Sequence, residues 1–224
     1  MSIDAVVVAA GASSRFGGRN KLFEPLRGIP VIGWTLRAIA ASSIGRAVFV
    51  AHAADHAEID RLAAEHHPGL EVITVEGGTR RRDSVEAGLR ACSTRYVAIL
   101  DGARPLVTPE LIERTCAAAE GNPGAIAAMR VTDTIKEAAD GVIRGHPDRE
   151  RLWAAQTPQV VLRQAWLDAA RMGDDDETDD AAMLDRLGLA CVVVESDATN
   201  LKITRPLDIT VAEAVLRERE AECG

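Results

Sequence analysis

DAVVVAAGASSRFGGRNK, residues 4–21, is the stretch from which the fold is read. The β-branched run Val6, Val7, Val8 passes into Ala9, Ala10 and Gly11, then into a loop that carries Arg15, Arg19 and Lys21 within seven residues. A buried strand that ends in small residues lets another molecule approach the backbone closely. A loop that adds unpaired N–H groups and clustered cations offers what a polyphosphate requires. A nucleoside triphosphate site is therefore expected after the first strand. Two familiar phosphate loops do not fit. The dinucleotide fingerprint G-x-G-x-x-G needs glycines where Ser13 and Phe16 stand, and the P-loop needs Gly-Lys-Ser/Thr where Lys21 lies between Asn20 and Leu22. An ordinary polar loop would account for the glycines and serines, but less well for clustered cations in a chain of net charge −8.

The same architecture recurs further along. Residues 70–75 read as a strand that empties into Glu76, Gly77, Gly78, Thr79, Arg80, Arg81, Arg82, Asp83 and Ser84, ahead of a helix expected over 84–92. A strand over 96–100 then delivers Asp101, followed by Gly102, Ala103, Arg104 and Pro105. In an open α/β sheet the loops leaving the carboxyl ends of the strands share one edge, so these segments can face a single ligand. A carboxylate there suits Mg²⁺ bridging protein and phosphates. A local ion pair between Asp101 and Arg104 is the competing reading.

Composition bounds the class. A chain of 224 residues buries roughly 70% of its unfolded surface and can fold without staples. Cys92, Cys116, Cys191 and Cys223 form no C-x-x-C pair, so neither a zinc site nor a disulfide framework is expected, and a cytoplasmic location follows. No apolar run approaches the roughly 18 residues of a membrane span, and the N-terminus lacks a signal-like pattern. The acidic balance and 3% aromatic content argue against a nucleic-acid surface.

Between these segments the pattern alternates. A helix is expected over 30–41 with Ile32, Leu36 and Ile39 inward, a strand over 47–51, and a helix capped by Asp55 with Glu58 three residues on. His52 and His56 read as solvated surface. Thr108 with Pro109 starts a helix through 119, and 125–131 is an apolar strand. Alternation to this point predicts a parallel sheet covered on both faces. Residues 132–138 and 142–146 then alternate around Ala139, Asp140 and Gly141 as a hairpin, which is marginal alone and is expected to pack on a second copy of the chain. LWAAQTPQ (152–159) has no clear period, and a helix follows over 162–172. The acidic run 174–180 lacks the glycine and glutamate of an EF-hand and is expected to cap a helix over 178–187. A strand over 189–195, an extended piece over 200–204 with Lys202, and an amphipathic helix over 206–220 close the chain.

Seven segments stand in a recognisable order: AAGASSRFGGRNK (9–21), GGTRRRDSV (77–85), DGARP (101–105), DTIK (133–136), DRERLWAAQTPQ (148–159), TDDA (178–181) and NLKIT (200–204). Together they resemble the 2-C-methyl-D-erythritol 4-phosphate cytidylyltransferases, over nearly the whole chain. The resemblance implies a Rossmann-like three-layer nucleotidyltransferase (nucleotide-diphospho-sugar transferase) α/β fold, one domain over 1–224, with a protruding β-hairpin arm over 132–151 that makes a homodimer. It also implies CTP as substrate, Mg²⁺ as cofactor and release of pyrophosphate.

By the same resemblance, Ala9, Ala10, Gly11, Gly77, Gly78, Ser84 and Gly102 fall in the nucleotide pocket with Arg81 nearby, and Asp101 is the metal-associated carboxylate. Arg15, Lys21 and Lys202 are the catalytic cations on the triphosphate. Thr134 and Arg149 match arm residues that hold the acceptor phosphate in the neighbouring subunit's site, with Thr157 and Thr178 in support. Departures occur at Asn20, where the family usually has Pro, at Thr79, where an acid is common, and at Leu100 and Gly102 within a segment that usually reads His-Asp-Ala-Ala-Arg-Pro. Two other readings remain open: a cytidylyltransferase for another polyol phosphate such as D-ribitol 5-phosphate, and a non-catalytic CTP-binding regulatory protein.

Overall fold

The computed structural model describes residues 2–11, 16, 20–173, 177 and 179–222. At its centre is β1 (Ile3–Val8); the short strands β2 (Pro25–Leu26) and β3 (Ile29–Pro30) pair with each other outside the main sheet, in which β1 is flanked on one side by β4 (Arg46–Ala51) and then β5 (Glu71–Glu76), and on the other by β6 (Tyr96–Asp101). These strands are parallel, Val6 lying opposite Val48 on one neighbour and Ile99 on the other. Beyond β6 come β10 (Trp153–Leu162), β7 (Gly124–Arg130) and β11 (Val192–Glu195), with β10 antiparallel to both neighbours.

Alternation along each strand sorts side chains into two cores, because successive residues point to opposite faces. Ala5, Val7, Phe49, Ala98 and Leu100 pack on one face under α1 (Val31–Ala40), α2 (Ala53–His66), α4 (Pro109–Ala119) and α7 (Pro206–Glu222). Val6, Val48, Val50, Val97 and Ile99 pack on the other under α3 (Arg81–Ala91), α5 (Arg163–Arg171) and α6 (Asp180–Asp185). With helices on both faces, β1 reads as a continuous apolar run. The chain passes from β1 to β4 and β5, then crosses back to β6 on the far side of β1. That reversal opens a crevice at the carboxyl ends of the strands, where ligands bind in sheets of this kind.

Several local expectations are corrected. The helix after β4 begins at Ala53 with His52 as its cap residue, so Asp55 stands in the first turn and the Asp55–Glu58 capping box does not form. The helix after β5 begins at Arg81 rather than Ser84, because Asp83 accepts the Arg80 backbone N–H at 3.3 Å and Ser84 turns its hydroxyl back to the Arg80 carbonyl at 3.2 Å. Residues 153–159 of LWAAQTPQ belong to an inner strand, with Leu152 just before it. Gln156, Thr157 and Gln159 are buried in β10, and the register shifts between Ala155 and Gln159, where Pro158 follows a cis peptide bond. A bulge is where a sheet tolerates proline.

The hairpin turns more tightly than expected. β8 (Glu137–Ala139) and β9 (Val142–Gly145) are joined by Asp140 and Gly141 alone, with φ of 52° and 76°. Positive φ at both positions is the requirement of a two-residue hairpin turn. The final helix of the acidic segment starts at Asp180, where Asp179 caps it by accepting from the Ala182 N–H at 2.9 Å.

Candidate active site

Four strand ends meet at the crevice. After β1 come Ala9, Ala10 and Gly11; after β4, His52; after β5, Gly78, Thr79, Arg80, Arg81 and Ser84; at the end of β6, Asp101 and Ala103. With Lys21, Leu22 and Lys202 they line a cavity of about 290 Å³. A second hollow of about 280 Å³ shares Arg81, Asp101 and Lys202 and continues to Arg104, Gln156, Thr157, Gln159 and Asp179.

Each wall has a local cause. The backbone N–H of Ala9 donates to the Val50 carbonyl at 2.8 Å and that of Gly102 to the Val8 carbonyl at 3.0 Å, which extends the sheet pairing past the strand ends. A side chain on Gly77 would collide with the Ala10 methyl, and one on Gly102 would press on the Val8 carbonyl at 3.3 Å. Neither glycine lines the larger cavity; both let its walls close up. The Gly78 N–H donates to the Ser84 hydroxyl at 3.1 Å, so Ser84 holds the loop after β5 in shape.

Charge is concentrated at Asp101. Its Oδ2 receives Arg104 Nε at 3.1 Å and Lys202 Nζ at 3.2 Å, and the Thr157 hydroxyl accepts its backbone N–H at 3.0 Å. Burial alone would push this carboxyl up, but the charges of Lys202, Arg104 and Arg81 outweigh it and hold the group below the usual carboxylate range. The pair between Asp101 and Arg104 is formed, and Asp101 also lines the cavity. Lys202 arrives there because Arg104 Nη1 donates to the Asn200 carbonyl at 2.7 Å and the Ile203 N–H to the Ala103 carbonyl at 2.8 Å.

Arg81 is held from behind. Its guanidinium makes a two-pronged contact with Asp180, at 2.7 and 3.2 Å. The fully buried Asp180 also accepts the Trp166 indole N–H at 3.1 Å, while its backbone N–H donates to Gln159 Oε1 at 2.8 Å. Burial works against the charge on Arg81, and Asp180, with Asp101 and Asp179, reverses this and raises its pKa. The acidic run does cap α6, through Asp179, but Asp180 turns inward instead. Two consecutive aspartates after Thr178 carry no sign of which one is buried, so only the packing of α5 on α6 reveals it.

Lys21, Lys202, Arg81, Asp101, Ala9, Ala10, Gly11, Gly78 and Ser84 are thus brought together. Thr157 lies in the adjoining hollow. Thr134 and Arg149 are not at this cavity. They belong to the exposed hairpin segment, where Arg149 Nη1 donates to the Thr132 carbonyl at 2.9 Å. Arg15 and Thr178 lie outside the described residues. His52, read as plain surface, is exposed but stands on the cavity rim.

Among the described residues no three His, Cys, Asp or Glu side chains form a metal cluster. An all-protein cage is therefore not formed by these residues, but Mg²⁺ is commonly held by one or two carboxylates together with substrate phosphates. Asp101 fits that limited role. Among the described residues no helix is long and apolar enough to cross a membrane.

A switch-point crevice with a carboxylate between cations suits the phosphates of a nucleotide, and together with the family match the class is that of the α/β nucleotidyltransferases. Comparison with known proteins makes this particular. The profile of the 2-C-methyl-D-erythritol 4-phosphate cytidylyltransferase family matches residues 3–218, and the chain belongs to that family. Family members from Synechococcus elongatus and Prochlorococcus marinus are 43% and 44% identical, each alignment covering 96% of this chain and 96% or 98% of the relative. The crystal structure of 4-diphosphocytidyl-2C-methyl-D-erythritol synthase from Anaerococcus prevotii superposes with a TM-score of 0.85 at 26% identity, covering 96% of this chain and 98% of its own. That of the Thermus thermophilus cytidylyltransferase gives 0.77 at 29% identity, covering 97% and 100%. The family is one of cytidylyltransferases of isoprenoid synthesis.

Proposed function

We propose that this chain transfers the cytidylyl group of CTP to 2-C-methyl-D-erythritol 4-phosphate and releases pyrophosphate. The observation that carries the reading is the meeting of Asp101 and Lys202, far apart in sequence, at 3.2 Å beside Lys21 in the switch-point crevice of a chain from this family. An acceptor phosphate oxygen attacks the α-phosphorus in line, and negative charge grows on the non-bridging oxygens and the leaving pyrophosphate. Lys21, Lys202 and Arg15 meet that charge. Positioning and electrostatic stabilisation suffice, because no covalent enzyme intermediate is required.

Ala9, Ala10, Gly11, Gly78 and Ser84 take the nucleoside, with small side chains and backbone polar groups at the wall. Arg81, backed by Asp180, is a fixed cation near the phosphates, and its guanidinium suits phosphate oxygens. Asp101 stays ionised at neutral pH, which keeps Lys202 in place. Its carboxylate would hold Mg²⁺, and the ion would neutralise charge on the phosphates.

The chain acts as one domain over 1–224, in the cytoplasm, as a homodimer through the arm over 132–151. What supports the dimer is the hairpin's exposure: Val142 and Ile143 are 51% and 53% accessible in the isolated chain. In the dimer, Thr134 and Arg149 of one subunit would hold the acceptor phosphate in the site of the other, with Thr157 and Thr178 supporting that site.

The test is pyrophosphate release from CTP and Mg²⁺ with 2-C-methyl-D-erythritol 4-phosphate and D-ribitol 5-phosphate compared side by side. Turnover is expected with the methylerythritol phosphate and is lost on chelation of the metal. Faster turnover with ribitol phosphate overturns the choice of acceptor, and tight CTP binding without turnover overturns the enzymatic reading.

A further inference from the structure

Asn20 is the residue immediately before Lys21, and its side chain is engaged at both ends. Its Oδ1 accepts the Leu22 N–H at 3.1 Å, capping the 3₁₀ turn Lys21–Phe23, and its Nδ2 donates to Asp55 Oδ2 at 3.0 Å. Asp55 lies in the first turn of α2, a helix seated in the core through Ile59, Leu62 and Ala63. On the other side of Lys21, Leu22 is 3% exposed and packed in the same core. The backbone of Lys21 is thus clamped between a buried leucine and a tether to a rigid helix, and Lys21 itself lines the cavity.

We propose that Asn20 and Asp55 are positioning residues that hold the Lys21 ammonium where charge develops on the reacting phosphates. The proposal rests on the reading of the crevice as a cytidylyl-transfer site. A lysine is a compact charge on a flexible four-carbon stem, so its placement depends on where its backbone starts. A bond from an amide to a carboxylate is charge-assisted and stronger than a neutral one. Displacement of a catalytic group by about 1 Å can cost on the order of 100-fold in rate. The tether therefore acts on turnover more than on nucleotide affinity, to which the rest of the cavity also contributes.

The backbone offers a way to separate tethering from mere presence of an asparagine. Asn20 has φ −74° and ψ 102°. Proline locks φ near this value, so Asn20→Pro stiffens the same backbone without the side-chain bonds. Asn20→Asp keeps the oxygen that caps Leu22 but loses the donor to Asp55.

The experiment measures pyrophosphate release at varied CTP, with Mg²⁺ and methylerythritol phosphate, for full-length wild type, Asn20→Ala, Asn20→Asp, Asp55→Ala, Asn20→Pro and the Asn20→Ala/Asp55→Ala double variant. Thermal midpoints are recorded alongside. The first three variants are expected to lower kcat by about 10- to 100-fold with KM for CTP changed by less than about 3-fold. The double variant falls no further than the worse single, since the two residues act as one unit, and Asn20→Pro recovers most of kcat. Unchanged kcat, multiplying losses in the double variant, or Asn20→Pro as slow as Asn20→Ala each overturn the proposal. If wild type itself releases no pyrophosphate, the functional reading fails. The tether is then judged by hydrogen exchange at the Leu22 and Phe23 amides: faster exchange in Asn20→Ala and Asp55→Ala alike supports it, and unchanged exchange overturns it.

Discussion

At the sheet edge, Asp101 is 6% exposed and carries Arg104 and Lys202 on a single oxygen, with Thr157 on its backbone N–H. In the hairpin segment, the Arg149 side chain is 47% exposed and, among the described residues, meets the Thr132 carbonyl at 2.9 Å and Glu150 at 3.9 Å. The crevice holds its cations against a buried carboxylate, whereas the hairpin segment leaves its arginine at the surface. In the crevice the positions of the cations are determined by bonds within one chain, from strands, loops and helices remote in sequence. The hairpin pairs its own two short strands, and Val142, Ile143 and Arg149 stand exposed on that segment. The contrast separates a site whose charged groups are already aligned within the chain from a segment that, under the homodimer proposed above, would gain its contacts by assembly.

The sharpest way to break this contrast is to remove a partner inside the crevice wall. Asp180→Ala leaves the Arg81 guanidinium and the Trp166 indole without their acceptor, and is expected to cost about 3–5 kcal/mol of stability. In a chain of this size that lowers the thermal midpoint on the order of 10 °C, measurable by calorimetry. Next, Lys202→Ala is expected to lower kcat by about 100- to 1,000-fold in the pyrophosphate assay, the usual cost of one preorganised donor.

Asp101 supplies a pH dependence. Its pKa is lowered in the folded state, so its contribution to stability is fully present above the unfolded carboxylate value near 3.9 and is lost as pH falls through the lower folded value. Urea titrations from pH 5 downward should show this decline, and Asp101→Asn should flatten it; an unchanged slope would show that other carboxylates govern acid unfolding. The smallest effect belongs to the hairpin. Ile143→Ser is expected to alter the stability of the isolated fold by less than about 0.5 kcal/mol, because the side chain is 53% exposed, while weakening self-association in sedimentation. A large loss of fold stability would mean that the arm is not independent of the chain's own core.

Much of this could be read from residue patterns. Val6 to Val8 followed by small residues gave the central strand, and Thr108 with Pro109 gave the start of α4, capped through the Leu111 N–H at 3.2 Å. The loop cations and Asp101 were visible because strand ends in this class share an edge. β10 was not legible, since Gln156, Thr157 and Gln159 look like a polar loop until their partners are known. Those partners are the Asp197 carbonyl and the Asn200 amide for Gln156, the Asp101 N–H for Thr157, and the Asp180 N–H for Gln159. Lys202 was found through family resemblance rather than from any local pattern around it.

By itself, the sequence determined the alternation of strand and helix, the two apolar faces of the sheet, and the clustering of small and cationic residues after strands. These follow from periodicity and capping, which involve residues only a few positions apart. Only the tertiary structure decided that β10 runs antiparallel among the inner strands, that Asp180 rather than its neighbour is buried under Arg81, and that Asn20 is tied to Asp55. Each depends on a buried or half-buried polar group finding a distant partner. Such pairing is enforced by the cost of leaving the group unsatisfied, which no local spacing records.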